Sequence, residues 1–260
     1  MNPTIEAIMG RASLRKYEDR PIEADHREWI LKSAWRAPTA GNMMLYSVIE
    51  VTDQGIKDTL AETCDHQPFI AKAPMVLIFL ADVTRWYDYY DACGVAKWQA
   101  AQGKEYEGPD EADFLLAVND ALIAAQNTVV AAESMGIGSC YIGDIMERYE
   151  THRELFNLPE QAFPACMLCY GYYPGGKKRS PMWRLDEKYI LHENQYNRLP
   201  YEKLNEMFEK SRFSFPGDNR YGAENFGQFH YAMKMGSPFK MEMTRSIREA
   251  MKYWRGKKEA

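Results

Sequence analysis

The segment from about Glu111 to Met135 restricts the possible folds more than any other stretch of the sequence. Its apolar residues follow the three-four spacing of a helix, and alanine and leucine fill much of the remaining surface. The spaced positions are Phe114, Val118, Leu122, Ala125, Val129 and Ala132. Asn119 and Asp120 lie among them and would be costly to expose to lipid. The pattern predicts a long, deeply buried core helix and not a membrane span.

Shorter elements on both sides of this helix alternate between strand and helix patterns. The expected strands or extended segments are 47–51, 74–81, 138–143 and 165–171, and the expected helices are 2–9, 24–36, 54–63 and 146–156. Residues 74–81 are apolar on both faces, which is typical of a central strand. The alternation predicts an α+β fold with helix-sheet-helix layers around a mixed sheet.

Composition limits the classes of partner. A chain of 260 residues with 46% hydrophobic residues is long enough to bury a sizeable core. Its formal net charge of -5 gives no electrostatic reason to bind nucleic acid. The first residues, MNPTIEAIMGR, lack the pattern of a secretory or transit signal, so we expect a cytoplasmic protein.

Cysteines and histidines give no metal or disulfide signature. Five cysteines in a chain of this kind predict reduced thiols. Cys166 and Cys169 form a C-x-x-C, which suits either redox and metal chemistry or plain core packing. On a strand the two would point to opposite faces, which favours core packing. The five histidines show no metal-ligand spacing, so we expect no metal site.

Residues 200–260 differ from the rest of the chain. They are rich in aromatic residues, Met, Arg and Lys, with Gly and Pro interruptions and a helix expected over about 240–253. We predict a core of 1–199 and an extension of 200–260 that packs on the core or on a partner subunit. The aromatic residues of this tail would line an acceptor pocket, clasp a partner or cover apolar surface; they are Phe213, Phe215, Tyr221, Phe226 and Phe229. A second aromatic group, Trp86, Tyr87, Tyr89 and Tyr90, suggests a mobile or lid-like segment.

The first chemical motif follows the N-terminal helix. If the chain is extended there, Arg11, Ser13 and Arg15 point the same way. Guanidinium groups bind phosphate in a bidentate manner, and a serine adds a short hydrogen bond. The motif suits a phosphomonoester, although a solvated basic loop would show the same residues.

Two further segments contain small residues that allow a close approach of backbone to a flat ligand. The first is Ala37-Pro-Thr39-Ala-Gly-Asn42, and the second runs from Ser134 to Gly143 and is rich in glycine. The second lacks the spacing of a dinucleotide fingerprint or a P-loop. Neither Ser13 nor Ser139 lies in the G-x-S-x-G setting of a hydrolase.

In this order the motifs resemble the nitroreductase family of flavin enzymes. Its members begin with R-x-S-x-R, continue with A-P-[ST]-x-x-N and a buried helix, and then have G-[IL]-G-S-x-x-[IL]-G before a strand that ends in Gly-Tyr. The likeness spans about residues 4–196. Residues 66–74, residues 191–196 and the long tail are similar to the flavin reductase and major nitroreductase branch.

The resemblance implies a site for flavin mononucleotide (FMN). Arg11, Ser13 and Arg15 would hold the phosphate and ribityl chain, and Arg184 would be a late phosphate ligand. The other implied flavin contacts are Thr39, Gln67, Gly138 and Ser139. Met182 departs from the branch, which usually has a lysine there. Lys177, Lys178 or Arg179 would compensate.

The resemblance also implies the activity and the assembly. NADH or NADPH would reduce the flavin, and a nitroaromatic, quinone, azo compound or free flavin would then take the electrons in a ping-pong cycle. No protein nucleophile is needed. The family implies a mainly antiparallel sheet and an intertwined homodimer with flavin at the subunit interface. Two alternatives stay open: another reaction at the same flavin, such as dehalogenation, and a flavin-storage or sensory protein.

Overall fold

The computed structural model of the chain describes residues 2–178, 180–209 and 215–255. The chain divides into two compact units, Met1–Pro181 with Glu242–Ala260, and Met182–Met241. The helices are α1 (Pro3–Gly10), α2 (Ala24–Trp35), α3 (Gln54–Thr63), α4 (Thr84–Ala92), α5 (Val95–Ala100), α6 (Glu111–Ser134), α7 (Tyr149–Leu155), α8 (Tyr201–Met207), α9 (Phe226–His230) and α10 (Pro238–Ala250). The strands are β1 (Tyr46–Glu50), β2 (Met75–Asp82), β3 (Ile137–Ile142) and β4 (Ala162–Tyr172).

The four strands form one sheet in the order β1-β2-β4-β3. Each pairing within the described residues is antiparallel, so the mainly antiparallel sheet is confirmed, and no parallel pair occurs in those ranges. Every residue of β2 and β4 is buried, as their places in the middle of the sheet require. A bulge shifts the β2–β4 register between Phe79 and Leu80.

Helices cover both faces of this sheet. One core cluster packs α2 and α6 on the first face, and a second cluster packs α3 and the turn before α7 on the opposite face. Along β4 the side chains alternate between the two clusters: Cys166 belongs to the first and Cys169 to the second. The helix-sheet-helix layers are therefore confirmed, and the two cysteines are free, buried core residues on opposite faces.

Helix α6 begins with a capping box. The Asp110 side chain accepts from the backbone N–H of Asp113, and the Asp113 side chain accepts from the backbone N–H of Asp110. After the helix, Gly136 has φ +75°, the left-handed value that a helix-ending glycine adopts readily. Local chemistry thus sets both ends of α6 close to their predicted positions.

Only part of the α6 surface is buried. Ala117, Ala121, Ala125 and neighbouring residues face the core, whereas an opposite apolar stripe is open to solvent in the single chain. The members of this exposed stripe are Leu115, Leu116, Leu122 and Ile123, at 60%, 45%, 38% and 41% exposure. The prediction of a deeply buried helix is therefore confirmed for the face that carries Ala117, Ala121 and Ala125, and it is wrong in one chain for Leu122. By length and hydropathy α6 also passes as a candidate membrane span.

The last helix returns to the first unit. Trp254 is fully buried, and its ring lies 5.1 Å from that of Phe114 in an edge-on contact. Ala250 is buried in the same cluster. The boundaries between the two compact units lie after residues 181 and 241, because the packed C-terminal segment belongs to the first unit. The predicted division of the chain into a core of 1–199 and an extension of 200–260 stays a prediction.

The second unit is built largely from aromatic contacts. The ring of Phe208 lies 6.0 Å from that of Phe226, and Phe229 contacts both Phe215 and Tyr221 at 5.8 Å. Phe213 lies outside the described residues. The proposed roles of this tail in acceptor or partner binding therefore stay predictions.

The aromatic group after β2 forms a helix, not an irregular segment. Trp86 in α4 donates from Nε1 to the Met43 carbonyl oxygen at 2.8 Å, and the Tyr87 hydroxyl donates to Asp113 at 2.8 Å. Helices α4 and α5 have no counterpart in the sequence prediction. The side chains of Trp86 and Tyr87 are thus tied to the 43 loop and to the first turn of α6, and the interpretation of this group as a mobile or lid-like segment stays a prediction.

Candidate flavin site

Two glycines create the floor of the site. Gly138 on β3 is directly paired with Gly171 on β4. A Cβ atom at Gly138 would lie 2.7 Å from the Leu14 side chain, and one at Gly171 would lie 2.4 Å from the ring of Tyr17. Both distances are shorter than real Cβ contacts allow. The missing side chains therefore let the segment after α1 lie directly on the two strands.

The segment after α1 is extended, as the sequence predicted. The Leu14 N–H donates to the Ser139 carbonyl oxygen at 2.9 Å, which fixes this segment against β3. Burial alternates along it: Ala12 and Leu14 are buried, whereas Ser13 is half-buried and Arg15 is exposed. The residues of the R-x-S-x-R motif therefore share the side that faces away from the core.

Arg11, Ser13 and Arg15 all influence the ionisation of one side chain, Cys140 on β3. Burial raises the pKa of the Cys140 thiol, while the Arg15 charge, a hydrogen bond with Ser13 and the Arg11 charge each lower it. Within residues 2–178, 180–209 and 215–255 neither arginine forms an ion pair. Two guanidiniums without carboxylate partners beside a serine hydroxyl form a site that is suited to an anion.

Ser139 lies in the same strand, next to Cys140. Its side chain is fully buried, and its Oγ has no hydrogen-bond partner in the part of the chain that the structure describes. An unsatisfied buried hydroxyl is costly in most proteins. Ser139 and Gly138 thus lie where the sequence placed them, in the strand that carries the anion site.

Gln67 reaches this region from the turn after α3. Its Nε2 donates to the Cys64 carbonyl oxygen at 2.8 Å and to Asp144 Oδ2 at 3.0 Å. Asp144 follows β3 and is close enough to raise the pKa of Cys140. Gln67 therefore belongs to the same neighbourhood as the basic motif.

The sequence did not predict the acidic residues near Gln67. Asp144 accepts from Gln67, and the backbone N–H of Glu147 donates to the Asp144 carbonyl oxygen at 3.0 Å. Burial first, then the nearby negative charges of Asp144 and Asp65, raise the pKa of Glu147 to about 7. The only signal in the sequence is the pair of acids three residues apart after the glycine-rich strand.

Thr39 is not brought to these residues within one chain. Its Oγ1 donates to Asp120 on α6 and accepts from the Met44 N–H at 2.8 Å. Asp120 also accepts from the backbone N–H groups of Ala40 at 2.9 Å and Leu45 at 3.1 Å. The Thr39 hydroxyl therefore fastens its own loop to the core helix.

Arg184, the predicted late phosphate ligand, lies in the second unit. Arg184 Nη1 donates to the carbonyl oxygens of Met182 at 3.3 Å and Trp183 at 3.2 Å. Among the candidates to compensate for Met182, Lys178 is paired with the buried carboxylate of Glu133 at 3.0 Å. Lys177 is exposed, and Arg179 lies outside the described residues. The role of Arg184 stays a prediction.

A cavity of about 660 Å³ lies elsewhere, beside the open edge of β1. Its lining is mostly aromatic residues and methionine, and none of the implied flavin contacts belongs to it. Arg85 closes the strand edge there, because its Nη2 donates to the carbonyl oxygens of Met44 and Tyr46, both at 2.8 Å.

Comparison with known proteins identifies the family. The profile of the nitroreductase family matches residues 8–172. The chain is 32% identical over 197 residues to "FMN reductase (NADPH)" of Bacillus subtilis, which covers 76% of each protein. The chain belongs to the nitroreductase family. It is also 32% identical over 204 residues to "Oxygen-insensitive NADPH nitroreductase" of Salmonella typhimurium, covering 78% of each protein.

Solved structures of similar fold agree over nearly the whole chain. NfrA1 of B. megaterium superposes with a TM-score of 0.77 at 27% identity, covering 96% of this chain and 98% of that one. The NADPH:FMN oxidoreductase of Vibrio harveyi, solved with NAD+, gives a TM-score of 0.79 at 23% identity over 96% and 98% of the two chains. The second likeness concerns the fold alone.

Proposed function

We propose that the chain binds FMN and transfers electrons from NADH or NADPH to small acceptors such as nitroaromatics, quinones, azo compounds or free flavin. Its family and its relatives, an FMN reductase and an NADPH nitroreductase, support this activity. The observation in the chain that carries it is the shared side of Arg11, Ser13 and Arg15 along the segment after α1, where neither guanidinium forms an ion pair within the residues that the structure describes.

The residues present fit FMN by their chemistry. A phosphomonoester needs charged and hydroxyl donors, which Arg11, Ser13 and Arg15 offer on one side of an extended segment. Gly138 and Ser139 would contact the flavin through their backbone, and Gln67 through its side-chain amide. Arg184 would add a further phosphate contact. These assignments are our proposal for the binding site.

FMN supplies the hydride chemistry, and the chain binds and orients it. Arg15 and Arg11 compensate the phosphate charge, and the Ser13 hydroxyl restricts its position. Gln67 has both amide N–H groups engaged by Cys64 and Asp144, so it presents an acceptor oxygen to a ligand. No catalytic nucleophile is assigned, because donor and acceptor react at the bound flavin.

The exposed apolar stripe of α6 supports a homodimer. A stripe of four large aliphatic residues on an otherwise well-packed helix is unfavourable in water and favours burial against a second subunit. Helix α1 adds exposed Ile5, Ile8 and Met9. Since the family places flavin at the subunit interface, the Thr39 loop would contact the flavin of the second subunit. This explains why Thr39 lies apart from Arg15 within one chain.

We place the enzyme in the cytoplasm. All five cysteines are free, and four of them are buried. Reduced thiols of this number are typical of a reducing compartment. The solved relatives indicate a soluble protein.

The first experiment is purification followed by flavin analysis. We expect a yellow protein that releases FMN on denaturation, and anaerobic stopped-flow absorbance in which NADPH or NADH bleaches the flavin band. Menadione or a nitroaromatic then restores the band. A colourless protein that does not take up FMN would contradict the proposal, and a flavin that neither nicotinamide bleaches would contradict the reductase activity.

A single variant tests the phosphate assignment. Arg15→Ala removes one charge-assisted contact and is expected to weaken FMN binding about 10- to 100-fold in a fluorescence titration of the flavin-free protein. Lys16→Ala is the matched control, because Lys16 is the adjacent exposed cation outside the R-x-S-x-R pattern. Equal losses in both variants would show that only general surface charge matters.

A further inference from the structure

A cavity of about 380 Å³ lies between α4, α5 and the segment that precedes α6. Its lining residues are three tyrosines, two glutamates, a valine and a glutamine: Tyr87, Tyr90, Tyr106, Glu105, Glu107, Val95 and Gln99. None of them is among the implied flavin contacts. A cavity of this volume is large enough for a small organic molecule, so it is a candidate site outside the flavin site.

Two of the tyrosine rings form a corner of this cavity. The ring centroids of Tyr87 and Tyr90 lie 5.6 Å apart, and the ring planes meet at 72°. The ring of Tyr106 lies 6.5 Å from that of Tyr87. The face of an aromatic ring is negative and attracts a cation within about 6 Å of its centroid. A cation in the corner is therefore attracted to two rings at once.

Contacts within the chain hold both rings of the corner in place. The Tyr87 hydroxyl donates to Asp113 at 2.8 Å. The ring of Tyr90 lies 5.8 Å from that of Trp86, and Trp86 is itself bonded to the Met43 carbonyl oxygen at 2.8 Å. Side chains that are already ordered lose little conformational entropy when a ligand binds. The corner is therefore formed in advance of any ligand.

The charge around the cavity is negative. Glu105 and Glu107 line it, and within the described residues no lysine or arginine does so. Residues 85–113, which contain the whole lining, have seven acidic and three basic side chains. Burial first, and then the negative charge of Asp91, raises the pKa of Tyr106. These charges favour a cation as the occupant over an anion or a neutral molecule.

Two polar atoms of the lining residues have no partner. Gln99 Oε1 and the Tyr106 hydroxyl are buried and form no hydrogen bond in the part of the chain that the structure describes. A buried oxygen without a partner costs free energy, and a ligand that donates an N–H to it removes that cost. A protonated amine carries such donors, whereas a quaternary ammonium ion carries none.

We propose that the cavity between α4, α5 and residues 105–107 is a binding site for a protonated alkylamine. The ammonium group of the ligand occupies the corner of Tyr87 and Tyr90 beside the Glu107 carboxylate, and its alkyl chain contacts Val95. The site goes beyond the proposed function and does not rest on it, because none of its residues is assigned to FMN.

The test is an NMR titration of the full chain, with isotope-labelled tyrosine rings, against n-butylamine at about pH 7, where an alkylamine is protonated. We expect saturable shifts of the Tyr90 and Tyr106 ring signals. The uncharged analogue n-butanol should bind about 10-fold more weakly, because it lacks the charge that the rings and carboxylates attract. Tetramethylammonium, a cation without N–H donors, should bind about 3-fold more weakly than n-butylamine.

Two variants locate the site, and each has a matched control. Tyr90→Leu removes one ring of the corner and should weaken n-butylamine binding about 10-fold, whereas Tyr89→Leu changes a neighbouring exposed ring outside the lining and should not. Glu107→Gln should weaken binding about 3- to 10-fold, and the exposed Glu111→Gln should not. Glu107 is exposed, so its variant keeps the test valid if Tyr90→Leu does not fold.

Three results would overturn the inference. The first is the absence of a saturable shift with n-butylamine at concentrations up to about 50 mM. The second is binding of n-butanol or tetramethylammonium as tight as that of n-butylamine, which would show that charge or N–H donors do not matter. The third is an affinity in Glu107→Gln equal to that in Glu111→Gln, which would place any bound amine elsewhere.

Discussion

Replacement of Asp120 tests how the loop of residues 39–45 is attached to α6. Its two carboxylate oxygens accept three hydrogen bonds from one loop: from the Thr39 hydroxyl and from the backbone N–H groups of Ala40 and Leu45. Asp120 is 2% exposed, so water does not replace a lost bond. The loop also contains Asn42 and Met44 at φ +58° and +51°, values that non-glycine residues adopt at a cost. The carboxylate stabilises this strained loop.

The variant Asp120→Asn keeps the size of the side chain but replaces one acceptor by an NH2 group. At least one backbone or hydroxyl donor then faces another donor, and the remaining bonds lose their charge assistance. With about 1.5–3 kcal/mol for a charge-assisted bond and partial compensation by the amide oxygen, we expect a loss of about 2–4 kcal/mol in the free energy of unfolding. The loop should also exchange its amide protons faster.

Urea unfolding at one fixed protein concentration measures the first effect, and hydrogen exchange at Ala40 and Leu45 measures the second. Glu111→Gln, an exposed acid at the start of the same helix, is the control and should change stability by less than about 1 kcal/mol. If Asp120→Asn unfolds at the wild-type urea concentration and both amides remain protected, the loop does not depend on this carboxylate.

Three further predictions concern the glycine floor, the C-terminal anchor and the buried acid. Gly138→Ala places a Cβ atom 2.7 Å from the Leu14 side chain, so we expect the free energy of unfolding, measured by thermal unfolding, to fall by about 1–3 kcal/mol and FMN binding to weaken. An unchanged stability and an unchanged FMN affinity would show that Leu14 moves freely. Trp254→Ala empties a fully buried site against Phe114 and should cost about 3–5 kcal/mol in urea unfolding, whereas a change below about 1 kcal/mol would mean that the C-terminal helix is not part of the core. Burial raises the pKa of Glu147 to about 7 in the folded state, whereas in the unfolded state a glutamate releases its proton near pH 4.3. Because the folded state holds this proton more tightly, the contribution of Glu147 to the stability of the wild type falls as the pH rises from about 4.3 to about 7. Urea midpoints of Glu147→Gln should lack this decline, and parallel curves for the two proteins would contradict the assignment.

Local signals in the sequence predicted those elements whose ends are set by neighbouring residues. Helix α3 begins and ends where predicted, at Gln54 and Thr63, and its start is fixed by the Asp53 side chain, which accepts from the Ile56 N–H at 2.9 Å. Helix α4 was missed, since its N-cap residue is Val83, whose side chain is unable to accept a hydrogen bond. Its aromatic residues are held by Met43 and Asp113, which lie far away in the sequence. Contacts of that kind leave no local pattern.

The same distinction applies to the site. The shared side of Arg11, Ser13 and Arg15 follows from strand geometry over five residues, and the sequence was sufficient to predict it. The partners of Thr39 and Gln67 are 81 and 77 residues away along the chain. Folding alone brings Asp120 and Asp144 to them. The residues assigned to ligand contacts stay predictions of the sequence, whereas Asp120 and Asp144, which hold Thr39 and Gln67, were not predicted.

The carboxylate of Asp120 lies near the middle of α6 and opposes insertion of the newly made helix into a membrane. A helix with apolar residues on two sides has the length and hydropathy of a bilayer-spanning segment, and it emerges from the ribosome before its core partners in β4. A carboxylate near the middle of such a helix opposes insertion into a bilayer by about 2.5–3.5 kcal/mol. The same carboxylate that binds the 39–45 loop in the folded chain thus disfavours membrane insertion of α6 before the chain has folded.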